Sequence, residues 1–258
     1  MELDYKKLAD AIYYRKSTRS YSDKVCELLE NKGDLVVAFG LEALLPDIKV
    51  SVRVLESHEV KNKKAKYCIG FYSEDKPLAL ENIGFIGQQL DLLLQSEGIA
   101  TCWWGMKKPK KEFKCVDGLD CFITMMAGKA KVDEKRAWPD DFKRKDTWSI
   151  VLGDYRDLLQ EETRIEDSRF LEVVRVAPSA VNRQPWLVKK VEGKYNFYLK
   201  NSKNPLDIII GDMRNIDLGI AIAHFFVQAK AEGFNTEFGF GGTDSDKHKF
   251  VVGVSVWK

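Results

Sequence analysis

Asn82-Ile83-Gly84 opens, and Glu97-Gly98-Ile99 closes, a stretch in which apolar residues recur at 83, 86, 90, 93 and 94, the spacing of a long buried helix over 81–97. Gly98 supplies the stop, because glycine takes the left-handed turn that ends a helix at little steric cost. The same order returns later: Asp217-Leu218-Gly219 opens an apolar stretch and Glu232-Gly233-Phe234 closes it. Both ends are displaced by 135 residues (82 to 217, 97 to 232), and Thr101 and Thr236 follow in the same register. Val52-Arg53-Val54-Leu55-Glu56 likewise meets Val188-Lys189-Lys190-Val191-Glu192, 136 residues on. Two copies do not make a solenoid. They read as two related halves in one chain, an internal pseudo-dimer. The other reading is two unrelated α/β stretches that share helix-ending glycines.

Working outward, Tyr5, Leu8, Ala9 and Ile12 share one face of a helix over 4–14, with Asp4 as its N-cap. A second helix is expected from Ser22. Alternating residues give strands at 50–54, and further strands are expected at 67–72 and 121–126. Residues 131–146 are charged and irregular, as in a surface loop. A helix around 170–176, strands at 187–191 and 195–199, a helix over 215–231 and a strand at 250–256 then repeat the order. The expected division is 1–146 and 147–258, the two parts forming one intertwined unit.

The chain has 258 residues, 45% hydrophobic and 31% charged, which is enough to bury a core. A formal net charge of +2 gives no reason to expect nucleic acid. The basic run Lys107, Lys108, Lys110, Lys111 and Lys114 reads as a solvated face. No apolar stretch is long enough for a membrane span, and the opening Met1-Glu2-Leu3-Asp4-Tyr5-Lys6 lacks the core of a signal peptide. The five cysteines lack metal-ligand spacing, which predicts free thiols in a cytoplasmic protein and no metal site. His58, His224 and His248 are scattered, and His224, in an apolar helix, reads as a core histidine.

Three segments carry chemistry. Arg15-Lys16-Ser17-Thr18-Arg19 packs three cations and two hydroxyls beside a helix end, a set that suits phosphate, though a charged surface turn has the same composition. Ala177-Pro178-Ser179-Ala180-Val181-Asn182-Arg183-Gln184-Pro185-Trp186 combines stiffening prolines with neutral donors and acceptors. That suits the polar edge of a heteroaromatic ligand, or an ordinary helix-to-strand connection. Gly98-Ile99-Ala100-Thr101-Cys102-Trp103-Trp104-Gly105-Met106 carries adjacent tryptophans between glycines, and Gly105 permits close approach to a flat ligand. Trp pairs also serve as core, and Cys102 reads as a small packing residue.

Together these segments resemble the nitroreductase family of flavin enzymes. The matches are Arg15, Ser17 and Arg19 of an R-x-S-x-R/K turn, and Pro178, Ser179, Asn182, Gln184, Pro185 and Trp186 of a P-S-x-x-N-x-Q-P-W loop. Gly98-Ile99-Ala100-Thr101 stands for the G-L-G-T helix end, and Glu81-Asn82-Ile83-Gly84 is similar to a subfamily with two family-like halves in one chain. The resemblance implies an α+β nitroreductase-like fold, with mixed or antiparallel sheets flanked by helices. It also explains a displacement. The P-S-x-x-N loop lies in the second half, and 136 residues earlier Pro46 and Ile48 stand where Asn182 and Gln184 would. Family members are homodimers whose FMN lies at the interface, so a fused pair would keep one complete site, its two motifs on opposite halves.

The resemblance further implies residue roles. Arg15 and Ser17 hold the FMN phosphate with Lys16 close by, and Arg19 reaches the pyrimidine edge. Asn62 or Lys63 meets the ribityl chain, Lys143-Arg144 returns to the phosphate, Trp104 and Gly105 align with backbone amides facing flavin N5, and Trp103 counts with them as cofactor-binding. Pro178, Ser179 and Asn182 cross from the other half. No catalytic side chain is named, since the chemistry belongs to the cofactor. The implied activity is FMN-dependent transfer of two electrons from NADH or NADPH to a small organic acceptor such as a nitroaromatic or quinone, by a monomer with a pseudo-dimeric fold. The rival expectations are reductive dehalogenation, oxygen-dependent flavin breakdown, or an FMN-binding protein without turnover.

Overall fold

The computed structural model describes residues 3–30, 33–56, 58–60, 65–105, 109–132, 135–137, 143–153, 155, 165–202, 205, 213–245 and 248–258. Helix α1 spans Tyr5–Ile12 and buries Leu8, Ala9, Ala11 and Ile12, and the Asp4 side chain caps it by accepting from Lys7 N. No helix starts at Ser22. A 3₁₀ turn at Glu27–Leu29 and a short helix α2, Leu35–Phe39, take its place. Asp34 caps α2, and Gly40, at φ 62°, ends it after five residues. Strands β1 (Val50–Leu55) and β2 (Tyr67–Ser73) precede the long helix α3 (Ala79–Ser96). Strands β3 (Ala100–Trp104), β4 (Cys115–Val116) and β5 (Leu119–Gly128) follow it. The second half has α4 (Ile165–Arg175), β6 (Trp186–Val191), β7 (Lys194–Leu199), α5 (Met213–Ala231), β8 (Asn235–Gly239) and β9 (Lys249–Trp257).

Two antiparallel sheets result, and they have the same plan. The first runs β1-β2-β5-β3, with the short β4 paired to β5, and the second runs β6-β7-β9-β8. Each sheet carries a register irregularity at the same place, between Phe71 and Tyr72 where β2 meets β5 and between Phe197 and Tyr198 where β7 meets β9. A bulge is specific to its register, so its recurrence ties the halves more closely than strand order does. The equivalents are thus β1 with β6, β2 with β7, α3 with α5, β3 with β8 and β5 with β9. The apolar helices α3 and α5 are buried nearly all round, and one hydrophobic cluster takes residues from both halves.

The helices cross at two glycines. A Cβ on Gly84 would lie 2.1 Å from the Ile216 carbonyl oxygen, and one on Gly219 would lie 2.0 Å from that of Glu81. Both pairs are related by the 135-residue offset, so the contact is reciprocal, as an isologous interface requires. The helix starts repeat a second device. Asn82 Oδ1 accepts from Leu44 N at 2.9 Å and Leu45 N at 3.1 Å. Its counterpart Asp217 accepts from Ala180 N at 2.9 Å and 3.1 Å. Each clamps the loop that enters the first strand of its own sheet, and the second of these loops carries Pro178, Ser179 and Asn182.

Candidate functional site

The segment after α1 is held along β3. Ser17 and Thr101 form a parallel bridge, Thr18 N donates to Thr101 O at 2.9 Å, and Gln95 Nε2 donates to Lys16 O at 3.0 Å. This fixes Ser17 and Arg19 beside the tryptophans that β3 carries. Beneath them lies a buried polar chain. Arg15, 1% exposed, sets Nε 3.0 Å from Asp91 Oδ2, close in distance but without hydrogen-bond alignment. Its Nη2 donates to Ser17 Oγ at 3.1 Å, and Nη1 is buried without a hydrogen-bond partner. Thr101 Oγ1 donates to Asp91 Oδ1, and Gln88 Nε2 donates to Asp91 Oδ2 at 3.0 Å. Gln88 also lies 3.2 Å from His224 Nε2, while His224 Nδ1 lies 2.8 Å from the Val173 carbonyl. A carbonyl only accepts, so Nδ1 carries a proton, and the Gln88 Nε2 amide, which only donates, makes Nε2 the acceptor and the ring neutral. Burial, with Arg15 and Arg144 nearby, pushes its pKa down to about 3.

The 177–186 loop is bent sharply: Val181, Asn182 and Gln184 have φ of 44°, 59° and 50°. Left-handed backbone at three non-glycine residues is held only by surrounding bonds. Gln184 N donates to Ser179 Oγ at 2.9 Å, and Gln184 Oε1 accepts from Lys145 N at 2.8 Å. Arg144 Nη1 donates to Asn182 Oδ1 at 2.7 Å, and Asn182 Nδ2 donates back to Lys143 O at 2.7 Å. Burial brings the Arg144 pKa down to about 10, helped by the charges of Arg136, Arg15 and Arg175. The four guanidinium groups therefore lie close enough for their charges to act on Arg144, although Arg15 is paired with Asp91 and Arg175 with Glu172.

Between the halves is a cavity of about 350 Å³, within the roughly 300–1,000 Å³ of cofactor pockets. Ser17, Arg19, Cys102, Trp103, Trp104, Gly105 and Ile123 line it from the first half. Pro178, Ser179, Ala180, Val181, Met213, Ile216, Asp217 and Ile220 line it from the second. Of the residues singled out in the sequence, Ser17, Arg19, Trp103, Trp104, Gly105, Pro178 and Ser179 therefore meet at one wall. Arg15, Lys16, Asn182, Lys143 and Arg144 lie off that wall, Arg15 beneath Ser17 and the last three bound to one another. Asn62 and Lys63 lie outside the described residues, as do Lys107 and Lys108 of the basic run.

Two expectations need refinement. The close approach at Gly105 is made by Met213, whose Sδ would lie 2.2 Å from a Cβ there. Trp103 is also part of the core: it stacks on Phe71 with centroids 5.0 Å apart, and its Nε1 donates to Gln88 Oε1 at 3.2 Å. Cys102 sits on the wall with its thiol pushed up by burial, which keeps it from acting as a thiolate. Sequence reasoning missed Asp91, Asp217, Met213, Ile216 and Ile220. For Asp217 a signal existed, since it is the one carboxylate in an apolar helix; Asp91 shares its helix with Glu81. Among the described residues there is no cluster of His, Cys, Asp and Glu that could hold a metal, and no helix long and apolar enough to cross a membrane.

The model of a family described as "Putative TM nitroreductase" matches residues 7–229. No curated protein matches the chain. Among solved structures, a "putative nitroreductase" from Thermotoga maritima MSB8 is 20% identical with a TM-score of 0.64, over 96% of this chain and 92% of that one. A nitroreductase family protein from Clostridium difficile 630 is 19% identical with a TM-score of 0.44, over 58% of this chain and 98% of that one. The Thermotoga likeness is one of fold, an α+β arrangement of helices on antiparallel sheets. With the family model running from α1 nearly to the end of α5, the chain belongs to this nitroreductase family, a family of oxidoreductases.

Proposed function

We propose that the chain binds one FMN in the cavity between its halves and works as an NAD(P)H oxidoreductase, reducing a small organic acceptor such as a nitroaromatic or quinone by two electrons. The halves are 1–146 and 147–258, acting as one unit in a monomer. The observation that carries the reading is the composite wall: Ser17, Arg19 and Trp103–Gly105 come from one half, Pro178 and Ser179 from the other. A family site that is shared between two subunits is here shared between two halves.

The residues fit a flavin that carries a phosphate. Arg15 Nη1 is buried with no hydrogen-bond partner, and Arg144 is depressed by burial and by three other guanidiniums. An anion beside them would relieve both conditions. Arg15, Ser17 and Arg144 would hold that phosphate with Lys16 and Lys143 near, and Asn62 or Lys63 would meet the ribityl chain. Bound there, FMN supplies the two-electron chemistry between a nicotinamide and the acceptor. Arg19 sets a fixed positive charge at the wall, which favours an anionic reduced ring. Ser17 and Ser179 offer hydroxyls to polar edges, and Trp103 and Trp104 give a flat face. Met213, Ile216 and Ile220 give the rest of the wall an apolar surface. The five free cysteines, four of them buried, suit a reducing compartment, and the reading takes the protein to act in the cytoplasm without nucleic acid or membrane.

The test is anaerobic turnover by the FMN-loaded protein, following NADH or NADPH oxidation against a panel of nitroaromatics and quinones. Acceptor-dependent oxidation supports the proposal. Bound FMN with no oxidation of either nicotinamide leaves a binding protein and refutes the enzymatic part.

A further inference from the structure

Asp217, in the first turns of α5, is 4% exposed and lines the cavity with Ser17, Arg19, Trp104 and Ser179. Its structural task is the clamp on Ala180 N. The repeat shows what that task requires. At the equivalent place Asn82 clamps Leu44 and Leu45 with a neutral amide, and its Nδ2 also donates to Leu45 O at 3.1 Å. That half has lost the polar P-S-x-x-N loop. An acid is therefore unnecessary for the clamp and costly to bury, yet an acid stands on the side that keeps the loop.

Among the described residues no cation lies within ion-pair distance of the Asp217 carboxylate. Arg214, nearly one turn earlier on α5, donates to the Lys200 carbonyl. Arg19 and Cys102 share the cavity wall. Glu81 of α3, across the helix crossing, has its own carboxyl raised by burial against the field of Lys249. His224, two turns further along α5, is neutral. The loop 178–181 brings backbone groups and the Ser179 hydroxyl. Burial lifts the Asp217 pKa to about 8, although the Ala180 amide and Arg214 pull the other way.

We propose that Asp217 is the proton-holding group of this cavity: as a neutral acid it donates a hydrogen bond to the bound flavin, and as a carboxylate it takes up one proton from water when that flavin is reduced. The inference rests on the FMN reading. The balance is simple. Two electrons come from the nicotinamide, the only bond formed on the protein is the Asp217 O–H, and the proton comes from solvent. An ionised Asp217 opposes an anionic reduced ring, so reduction raises the affinity of Asp217 for its proton.

The test is the midpoint potential of the FMN-loaded protein from pH 6 to pH 10, measured by spectroelectrochemistry for wild type and Asp217→Asn. Asparagine keeps the clamp, as Asn82 does. In the wild type, above pH about 8, the preference for reduced over oxidised flavin should fall an extra tenfold per pH unit, about 30 mV for a two-electron couple. The variant should lack this component, so the two curves separate above pH 8. Parallel curves would overturn the role of Asp217 while leaving FMN binding intact. Protein that takes up no FMN would overturn the FMN reading, and this inference with it. If Asp217→Asn does not fold, the wild type decides alone: a change of slope near pH 8 supports the role, and a straight line across the range overturns it.

Discussion

Gly84→Ala tests the helix seam that builds the cavity. Alanine in a helix interior is better than glycine by ~1 kcal/mol, so at an ordinary site this change stabilises. Here the added methyl would meet the Ile216 carbonyl oxygen at 2.1 Å, against 3.4 Å or more for ordinary contact. A carbonyl in a helix cannot rotate aside, so α3 and α5 must part by about 1.3 Å (from 2.1 to 3.4 Å). Overpacking of this kind costs ~1–3 kcal/mol. A backbone obstacle belongs at the upper end, which leaves a net loss of ~2 kcal/mol after the propensity gain. For a chain of this size that is a fall in Tm of ~4–8 °C. Gly219→Ala, against the Glu81 carbonyl, should cost the same. The double variant should cost less than the sum, because the first methyl already opens the seam for the second. Urea unfolding of the three variants measures all of this. A Gly84→Ala protein as stable as wild type, or more stable, would refute the crossing, and strict additivity would refute its reciprocity.

Arg15→Ala should weaken FMN binding by ~1.5–3 kcal/mol, the loss of a charge-assisted contact, in a fluorescence titration of the apoprotein; unchanged affinity would put the phosphate elsewhere. It should also destabilise the fold by ~3–5 kcal/mol, because Asp91 is left buried without its cation, which urea unfolding of the same protein reads. The His224 pKa is lowered in the fold from 6.5 to about 3. Below pH 6.5 the unfolded chain therefore binds a proton that the folded one refuses, and stability should fall as pH drops from 6.5 towards 3; His224→Gln should flatten that slope in denaturation curves. Asp217 is raised from 3.8 to about 8, so stability should fall as pH rises between those values and level off above pH 8. Asp217→Asn should remove this second slope, and an identical pH profile in the variant would contradict the shift.

What the sequence made legible was set by how strongly each segment is patterned. The helices at Ala79–Ser96 and Met213–Ala231 are long and apolar, with glycine stops, and their bounds fall close to expectation. Strand β3 was hidden because Ala100-Thr101-Cys102-Trp103-Trp104 does not alternate: it is an edge strand whose pairing with β5 is long-range. Strand β8, Asn235–Gly239, is polar and half exposed, and the same reasoning applies. The helix expected at Ser22 did not form because Tyr21 bridges Ala130 and Ser22 N donates to Lys129 O, pairings across more than a hundred residues that no local pattern shows.

In the site, the motifs were legible as residue types, and their distribution over two halves followed from the 135-residue offset. Pairing was not legible. Nothing local tells that Arg15 meets Asp91, seventy-six positions away (15 to 91), or that Arg144 and Asn182 bind each other. Asp217 was visible in principle, since a lone carboxylate in an apolar helix needs a reason. Aligning the repeats sets Asp217 opposite Asn82, and that single difference marks the side of the molecule that keeps its cavity chemistry.

The most direct test of the central claim, one cofactor shared between two halves of one chain, is the stoichiometry of FMN uptake. Apoprotein of known concentration is titrated with FMN by fluorescence, and its mass in solution is measured with and without the ligand. The account predicts saturation at one FMN per chain, with the bound species a single chain. Two FMN per chain, no saturable uptake, or binding only by a species of two chains would contradict it.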